Sequence, residues 1–256
     1  MTSIAFDRAA DYYDRTRALP DEIQAAVIEV LGGELAGRGR VLELGVGTGR
    51  MALPLHARGV DLIGIDLSEP MMRKLVENAE GALPFSLARA DGRALPLRDV
   101  AVGAAFLCHV LHLIPQWTDV VAELVRVVAP GGLILVDLGG GPTAIGREVT
   151  NAFNRFAALD RPRPGCTDPA ALDRAFVDLG ATLRLVAPVT FEPSFTIAGL
   201  LHRFEGNLFS STWSLSEDAR ADAVRQTRAW AAERFGDLDA QRVDKVTIQW
   251  RAYELA

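Results

Sequence analysis

Residues 41–50, VLELGVGTGR, constrain the fold more than any other stretch of the chain. An apolar run ends in three alternating glycines, Gly45, Gly47 and Gly49, and a helical pattern follows. Glycine is needed where a backbone turns tightly or must let another atom come within contact distance. A loop of this kind opens a helix, whose free N–H groups favour an anionic group.

The pattern around the loop repeats the same alternation. Residues 40–44 (RVLEL), 61–65 (DLIGI), 84–88, 103–108 and 133–138 (LILVDL) read as short apolar strands. Helical spacing separates them at 51–58, 68–76 and 118–128. Ser68 is placed to cap its helix, and Pro70 sits in the first turn, where a missing N–H costs nothing. Pro130, Gly131 and Gly132 are expected to stop the helix before the fifth strand, and Gly32 and Gly33 to end an earlier one that starts at Pro20. Near-continuous apolar strands alternating with helices predict a parallel sheet covered on both faces. Ligands of such sheets bind beyond the carboxyl ends of the strands, where the strand order reverses.

The second half has a different texture. Residues 144–159, 169–179, 196–209 and 216–235 read as helices, 182–191 as a strand, and 245–255 (KVTIQWRAYEL) as a final strand. The 193–244 stretch is longer than a connection between neighbouring strands needs. It is expected to be a helical insert carrying a substrate lid, set in a domain formed by 1–192 and 245–256.

Composition closes off several function classes. At 256 residues the chain can bury its own core without disulfides, and its two cysteines, Cys108 and Cys166, form no metal-ligand spacing. A net charge of −6 without a basic run argues against nucleic-acid partners. The N-terminus carries charges at Asp7, Arg8, Asp11, Asp14 and Arg15 where a signal peptide needs an apolar core. The most apolar stretch, 100–114, is too short to span a membrane and contains His109 and His112. The expectation is a cytoplasmic protein without a membrane partner; oligomeric state is left open.

Asp66 ends the second strand, 21 residues after Gly45, where a carboxylate can accept both hydroxyl hydrogens of a ribose. Together with the glycine loop it predicts a nucleoside-containing cofactor. A dinucleotide fingerprint wants G-x-G-x-x-G. Here Arg50 stands at the sixth position, and the third glycine comes one residue early.

The pattern E-x-G-x-G-x-G instead resembles motif I of the class I S-adenosylmethionine-dependent methyltransferases. The likeness extends along the first 138 residues to the type 11, ubiquinone-biosynthesis-like group. FDRAADYYD at 6–14, IDLSEPMM at 65–72, ARADGRALPL at 88–97, VLHLIPQW at 110–117 and LVRVVAPGGLILV at 124–136 match its motifs in order. The resemblance implies a Rossmann-like α/β fold with a doubly wound, seven-stranded sheet of order 3-2-1-4-5-7-6, the last strand antiparallel. It implies S-adenosyl-L-methionine as methyl donor, S-adenosyl-L-homocysteine as product and a small-molecule methyl acceptor. Gly45 and Gly47 would approach the methionine portion, with Glu43 either contacting the cofactor directly or organising the loop. Asp66 would hold the ribose, with Leu67 and Met71 flanking the adenine. Asp91 and Gly92 would contact the adenine edge, and carbonyls near Leu107 and Cys108 the methionine amine. Tyr13 and Arg17 would close over the site. His109, just after the fourth strand, is the candidate catalytic base, since a neutral imidazole can take a proton from a hydroxyl or amine. No metal is expected. Two other readings stay open: a binding protein that holds the cofactor without turnover, and an NAD(P)-dependent oxidoreductase.

Overall fold

The computed structural model describes residues 3, 5–139, 143–159 and 164–256. The elements in the first half follow the alternation. Helix α1 (Tyr13–Arg17) and α2 (Asp21–Leu35) precede β1 (Arg40–Leu44), α3 (Ala52–His56), β2 (Asp61–Asp66), α4 (Glu69–Asn78), β3 (Ser86–Arg89) and β4 (Val102–Cys108). Then come α5 (Trp117–Val127), β5 (Val128–Asp137), α6 (Ala144–Phe156) and α7 (Pro169–Val177). The remainder is β6 (Thr182–Leu185), β7 (Val189–Phe191), β8 (Ser194–Phe195), α8 (Ile197–Glu205), α9 (Glu217–Phe235), β9 (Arg242–Val243), β10 (Val246–Ile248) and β11 (Arg251–Glu254).

The main sheet has seven strands in the order β3-β2-β1-β4-β5-β11-β6. With β11 counted as the seventh strand, this is the order that the family resemblance implies. Strands β1 to β5 pair in parallel, while β11 runs antiparallel to both β5 and β6. The chain moves outward from β1 through β2 to β3 and then returns to β4 on the other side of β1. The order therefore reverses beside β1, and the ends of β1, β2 and β4 frame a crevice there. Leu42, Ala105, Leu107, Ile134 and Val136 are buried in one core with Leu124 and Val127 of α5 and Phe176 of α7. Ser68 accepts the N–H of Met71, so α4 is capped as its sequence predicts.

Four local expectations change. Helix α2 runs through Gly32 and Gly33 to Leu35, because Val27, Ile28, Leu31 and Leu35 are buried on one helical face. That burial outweighs the roughly 1 kcal/mol helix penalty of each glycine. Pro130, Gly131 and Gly132 lie inside β5, where the register with β4 slips between Val102 and Ala104. The bulge absorbs the segment without ending the strand. The 182–191 and 245–255 strands are each divided in two. Only β6 and β11 join the main sheet, whereas β7 pairs with β10 in a separate two-stranded ribbon. The break is shared: Gln249 Nε2 donates to the Val186 carbonyl, and the Val186 N–H donates to the Trp250 carbonyl.

The chain divides into two compact units. The first comprises 1–139, 165–189 and 249–256, and holds the main sheet. The second comprises 140–164 and 190–248. Its core joins Val149 and Phe153 of α6 to Leu201 and Phe204 of α8 and to Ala223 and Val224 of α9. The rings of Phe153 and Phe204 stack with centroids 4.2 Å apart.

Candidate active site

A cavity of about 670 Å³, counting open space at its mouth, lies in the first unit. Its wall includes Tyr13, Gly45, Gly47, Asp66, Leu67, Met71, Asp91, Gly92, Cys108 and His109. Ten sequence-predicted residues, from α1, β2, α4, β4 and the loops after β1, β2, β3 and β4, thus converge on one space. Arg17, Glu43 and Leu107 are not on that wall: Leu107 is packed in the core, and Glu43 is buried behind the glycine loop.

The loop geometry explains the glycines. Gly45 and Gly47 have φ of +77° and +53°, a left-handed conformation that side chains rarely tolerate. A Cβ on Gly45 would also overlap the Val110 side chain. Gly49 does a different job. A Cβ there would lie 2.8 Å from Leu53 Cγ and 2.9 Å from Leu75 Cγ. It provides the close helix packing that a dinucleotide fingerprint assigns to a glycine one residue later. Arg50 is thereby released for another role.

Asp66 is held in place at the end of β2. Its Oδ2 accepts the Gly47 N–H and its Oδ1 accepts the Ser68 N–H, both at 2.8 Å. Burial pushes its pKa up, and the backbone hydrogen bonds oppose that shift. A carboxylate offers about four acceptor positions. Each oxygen therefore keeps one for a ligand donor, which is what a vicinal diol requires. Asp91 is more heavily committed. Its Oδ1 accepts from the Arg93 N–H and Nε at 3.0 Å, and its Oδ2 accepts from the Arg93 guanidinium at 2.7 Å. This pairing holds the Asp91 carboxyl below its ordinary pKa and leaves one acceptor position on Oδ2.

Behind the cavity lies a charged cluster that the sequence did not announce. An Arg50 N–H donates to Cys108 Sγ at 3.3 Å. Burial pushes the Cys108 thiol up to about 12, so it is a neutral thiol, not a nucleophile. Burial also drives the Glu43 carboxyl well above its usual range, opposed by Arg50, and Glu43 Oε2 has no hydrogen-bond partner among the described residues. Asp137, at the end of β5, lies 3.1 Å from His109 Nε2. The ligand-type atoms of Cys108, His109 and Asp137 all lie within 4.8 Å of one another, with the Arg50 guanidinium as a protein counter-charge. Phe6, Leu44, Ala90, Val110, Leu113 and Ile114 complete the apolar wall. Phe6, Val110, Leu113 and Ile114 fall inside the matched motifs but at positions where motif letters assign no contact.

The N-terminal segment is fastened to this site. Thr48 Oγ1 donates to Asp14 Oδ1, while Asn78 Nδ2 donates to Asp14 Oδ2 and to the Thr48 carbonyl, each at 3.1 Å. Glycine loop, α1 and α4 are thus tied at a single carboxylate. Tyr13 packs edge-on against Phe6, and its burial raises its pKa.

Residues 42–136, from the glycine loop to the end of β5, match the Methyltransferase domain family of the type 11 group. That segment carries the match to a methyltransferase domain. It is 31% identical to a malonyl-[acyl-carrier protein] O-methyltransferase of Xylella fastidiosa, over 62% of this chain and 55% of the relative. It is 36% identical to a phosphatidylethanolamine N-methyltransferase of Cereibacter sphaeroides, over 38% and 49%. Against the ubiquinone/menaquinone C-methyltransferase UbiE of Syntrophotalea carbinolica it is 36% identical, over 51% and 58%. The chain therefore spans about half the length of these curated relatives. Among solved structures, the YcgJ protein of Bacillus subtilis superposes with a TM-score of 0.63 at 16% identity, covering 93% of this chain and all of that one. The [4+2]-cyclase SpnF gives 0.56 at 14%, covering 98% of each. Both share the fold of this chain. No helix among the described residues is long and apolar enough to cross a membrane.

Proposed function

We propose that the chain transfers a methyl group from S-adenosyl-L-methionine to an oxygen, nitrogen or carbon nucleophile of a small molecule, releasing S-adenosyl-L-homocysteine. The observation that carries this reading is Asp66. Its pinned carboxylate keeps two acceptor positions free, in the same cavity wall as Gly45 and Gly47. A nucleoside with its 2′- and 3′-hydroxyls on Asp66 has a bare backbone beside it and an adenine-edge acceptor in Asp91. Gly49 takes over the packing role of the missing third fingerprint glycine, which speaks against a pyrophosphate cofactor.

When bound, the cofactor supplies an electrophilic methyl on a sulfonium. The chain's residues do the rest by placement. Asp66, Leu67 and Met71 hold the nucleoside, while Gly45, Gly47 and the backbone at Cys108 receive the amino-acid end. Tyr13 stands on the wall at that end, while Arg17, one turn further along α1, is set back from it. His109 stands on the wall to take a proton from a hydroxyl or amine acceptor. Orientation alone supplies much of the rate in a displacement of this kind. We assign the choice of acceptor to the helical insert, 193–244, whose length the sheet does not require.

SpnF is named as a cyclase although it shares the fold, so binding and turnover have to be tested separately. Purified protein is incubated with methyl-labelled S-adenosyl-L-methionine and three probes: a malonyl thioester, phosphatidylethanolamine vesicles and a demethylated menaquinone. These represent O-, N- and C-acceptors of the relatives. Label in one product supports the reading. Tight S-adenosyl-L-homocysteine binding with no transfer to these probes or to metabolite extracts favours a binding protein.

A further inference from the structure

Asp137 has no role in the reading above, yet it is among the most constrained carboxylates of the first unit. It ends β5 directly opposite Cys108, which ends β4. Its side chain is 5% exposed. Its Oδ1 accepts the Gly139 N–H at 2.9 Å, and its Oδ2 faces His109 Nε2 at 3.1 Å and Cys108 Sγ at 4.0 Å. The arrangement is locked from the histidine side as well. His109 has φ of +60°, a left-handed conformation that is rare outside glycine and turn residues. The turn folds its own N–H onto the Asp137 carbonyl at 3.0 Å. Backbone strain of this sort persists only where surrounding structure over-determines it, and it gathers at functional sites.

The ring itself is oriented. A Cβ on Gly139 would lie 3.3 Å from His109 Cδ2 and 3.4 Å from Nε2, so the backbone at Gly139 lies close to that edge. The Nε2 side is thus enclosed by Asp137 and Gly139. Nδ1 has no hydrogen-bond partner among the described residues, and the side chain is 30% exposed, on the cavity wall. A carboxylate 3.1 Å from one ring nitrogen repels a lone pair there and attracts a proton. The proton of the neutral ring belongs on Nε2, and the lone pair on Nδ1.

We propose that Asp137 is a positioning residue that holds His109 as the Nε2–H tautomer and so presents Nδ1 to the acceptor as proton acceptor. The proposal rests on the reading of His109 as a base. In the step it serves, a bond forms from the acceptor's electron pair to the methyl carbon. The methyl–sulfur bond breaks with its pair left on sulfur. The acceptor's proton goes to Nδ1, and the resulting imidazolium, stabilised by the Asp137 carboxylate, releases it to solvent. The other titratable or charged groups of the cluster are Cys108 on β4, Glu43 on β1, Arg50 on the glycine loop and Tyr13 on α1. None of them approaches His109 as closely as Asp137 does among the contacts of the described residues.

The deciding experiment needs no acceptor. Protein labelled with ¹⁵N-histidine is examined by two-bond ¹⁵N–¹H correlation at a pH where the ring is neutral, in wild type, D137N and H109Q, the last to assign the signal. The expected result is an Nε2–H tautomer for His109 in wild type and a mixed or Nδ1–H population in D137N. The three other histidines, His56, His112 and His202, remain unchanged as internal controls for folding. An Nδ1–H tautomer in wild type, or one untouched by D137N, overturns the proposal. So does a His109 shift that changes on adding EDTA, which would place a metal ion on Nε2. With whichever of the three probes accepts label, D137N is expected to lower kcat at least tenfold at unchanged KM. The double variant H109Q/D137N is then no slower than H109Q. Additive losses overturn it. Failure of all probes would count against the methyltransferase reading, while the tautomer would still decide the role of Asp137.

Discussion

Replacing Asp66 by alanine removes the one carboxylate that the account places on the ribose. Two hydroxyl donors would lose a charged acceptor, each bond worth about 1.5–3 kcal/mol net. Water entering the emptied position restores part of that. A loss of about 2–4 kcal/mol in binding follows, or roughly 30- to 700-fold in Kd at 1.4 kcal/mol per decade. The same change strips the acceptors from the Gly47 and Ser68 N–H groups, both 2.8 Å from Asp66. Gly47 and Ser68 are both buried, so leaving their N–H groups unpaired should cost the fold about 2–4 kcal/mol. Calorimetric titration with S-adenosyl-L-homocysteine measures the first number, and chemical denaturation the second. A folded Asp66→Ala protein with unchanged affinity would refute the ribose assignment and, with it, the argument from acceptor positions.

Other expectations are independent of that one. Gly45→Ala forces a Cβ into Val110 at a φ of +77°. It should cost about 1–3 kcal/mol in stability and abolish homocysteine-product binding at concentrations that saturate wild type. Asp14→Ala unties α1 from Thr48 and Asn78. Amide exchange over residues 6–17 should speed up while the sheet stays protected; unchanged exchange would show that the tie holds nothing. Asp173 accepts from Arg251 Nε at 2.8 Å, Arg251 guanidinium NH2 at 3.0 Å and Tyr253 at 2.7 Å, fastening β11 to α7. Burial opposes ionisation there, but these hydrogen bonds outweigh it and hold the carboxyl below its ordinary pKa. Its contribution is therefore complete above the unfolded carboxyl value of about 3.9 and is lost as pH falls through the depressed folded value. Asp173→Asn should lower stability by about 2–3 kcal/mol at pH 7 and flatten the acid limb of the stability curve, read by denaturant titration from pH 7 to 3.

The first 138 residues announced themselves because their signals are local. The glycine loop, the Ser68 cap and the carboxylate at the end of β2 each lie within a few residues of what they act on. Asp137 and Arg50 carried no such signal. Asp137 acquires its partners only when β4 and β5 pair, bringing Cys108 beside a residue 29 positions away. Arg50 looked like a residue displacing a glycine, because nothing local says that Gly49 packs against Leu53 and Leu75. The divided strands failed for a related reason. Residues 182–191 and 245–255 have strand composition throughout, and the break comes from Gln249 inserting its amide against the Val186 carbonyl across the fold. Burial likewise decided α2, where Leu31 and Leu35 carry the helix through two glycines.

The proposed function requires that this cavity take S-adenosylmethionine and not a dinucleotide. Calorimetry of the wild-type protein against S-adenosyl-L-homocysteine and against NADH and NADPH, in the same buffer, tests it most directly. One saturable site for S-adenosyl-L-homocysteine is expected, weakened in Asp66→Ala, with no heat from either nicotinamide. Binding of a nicotinamide with none of the homocysteine product would contradict it.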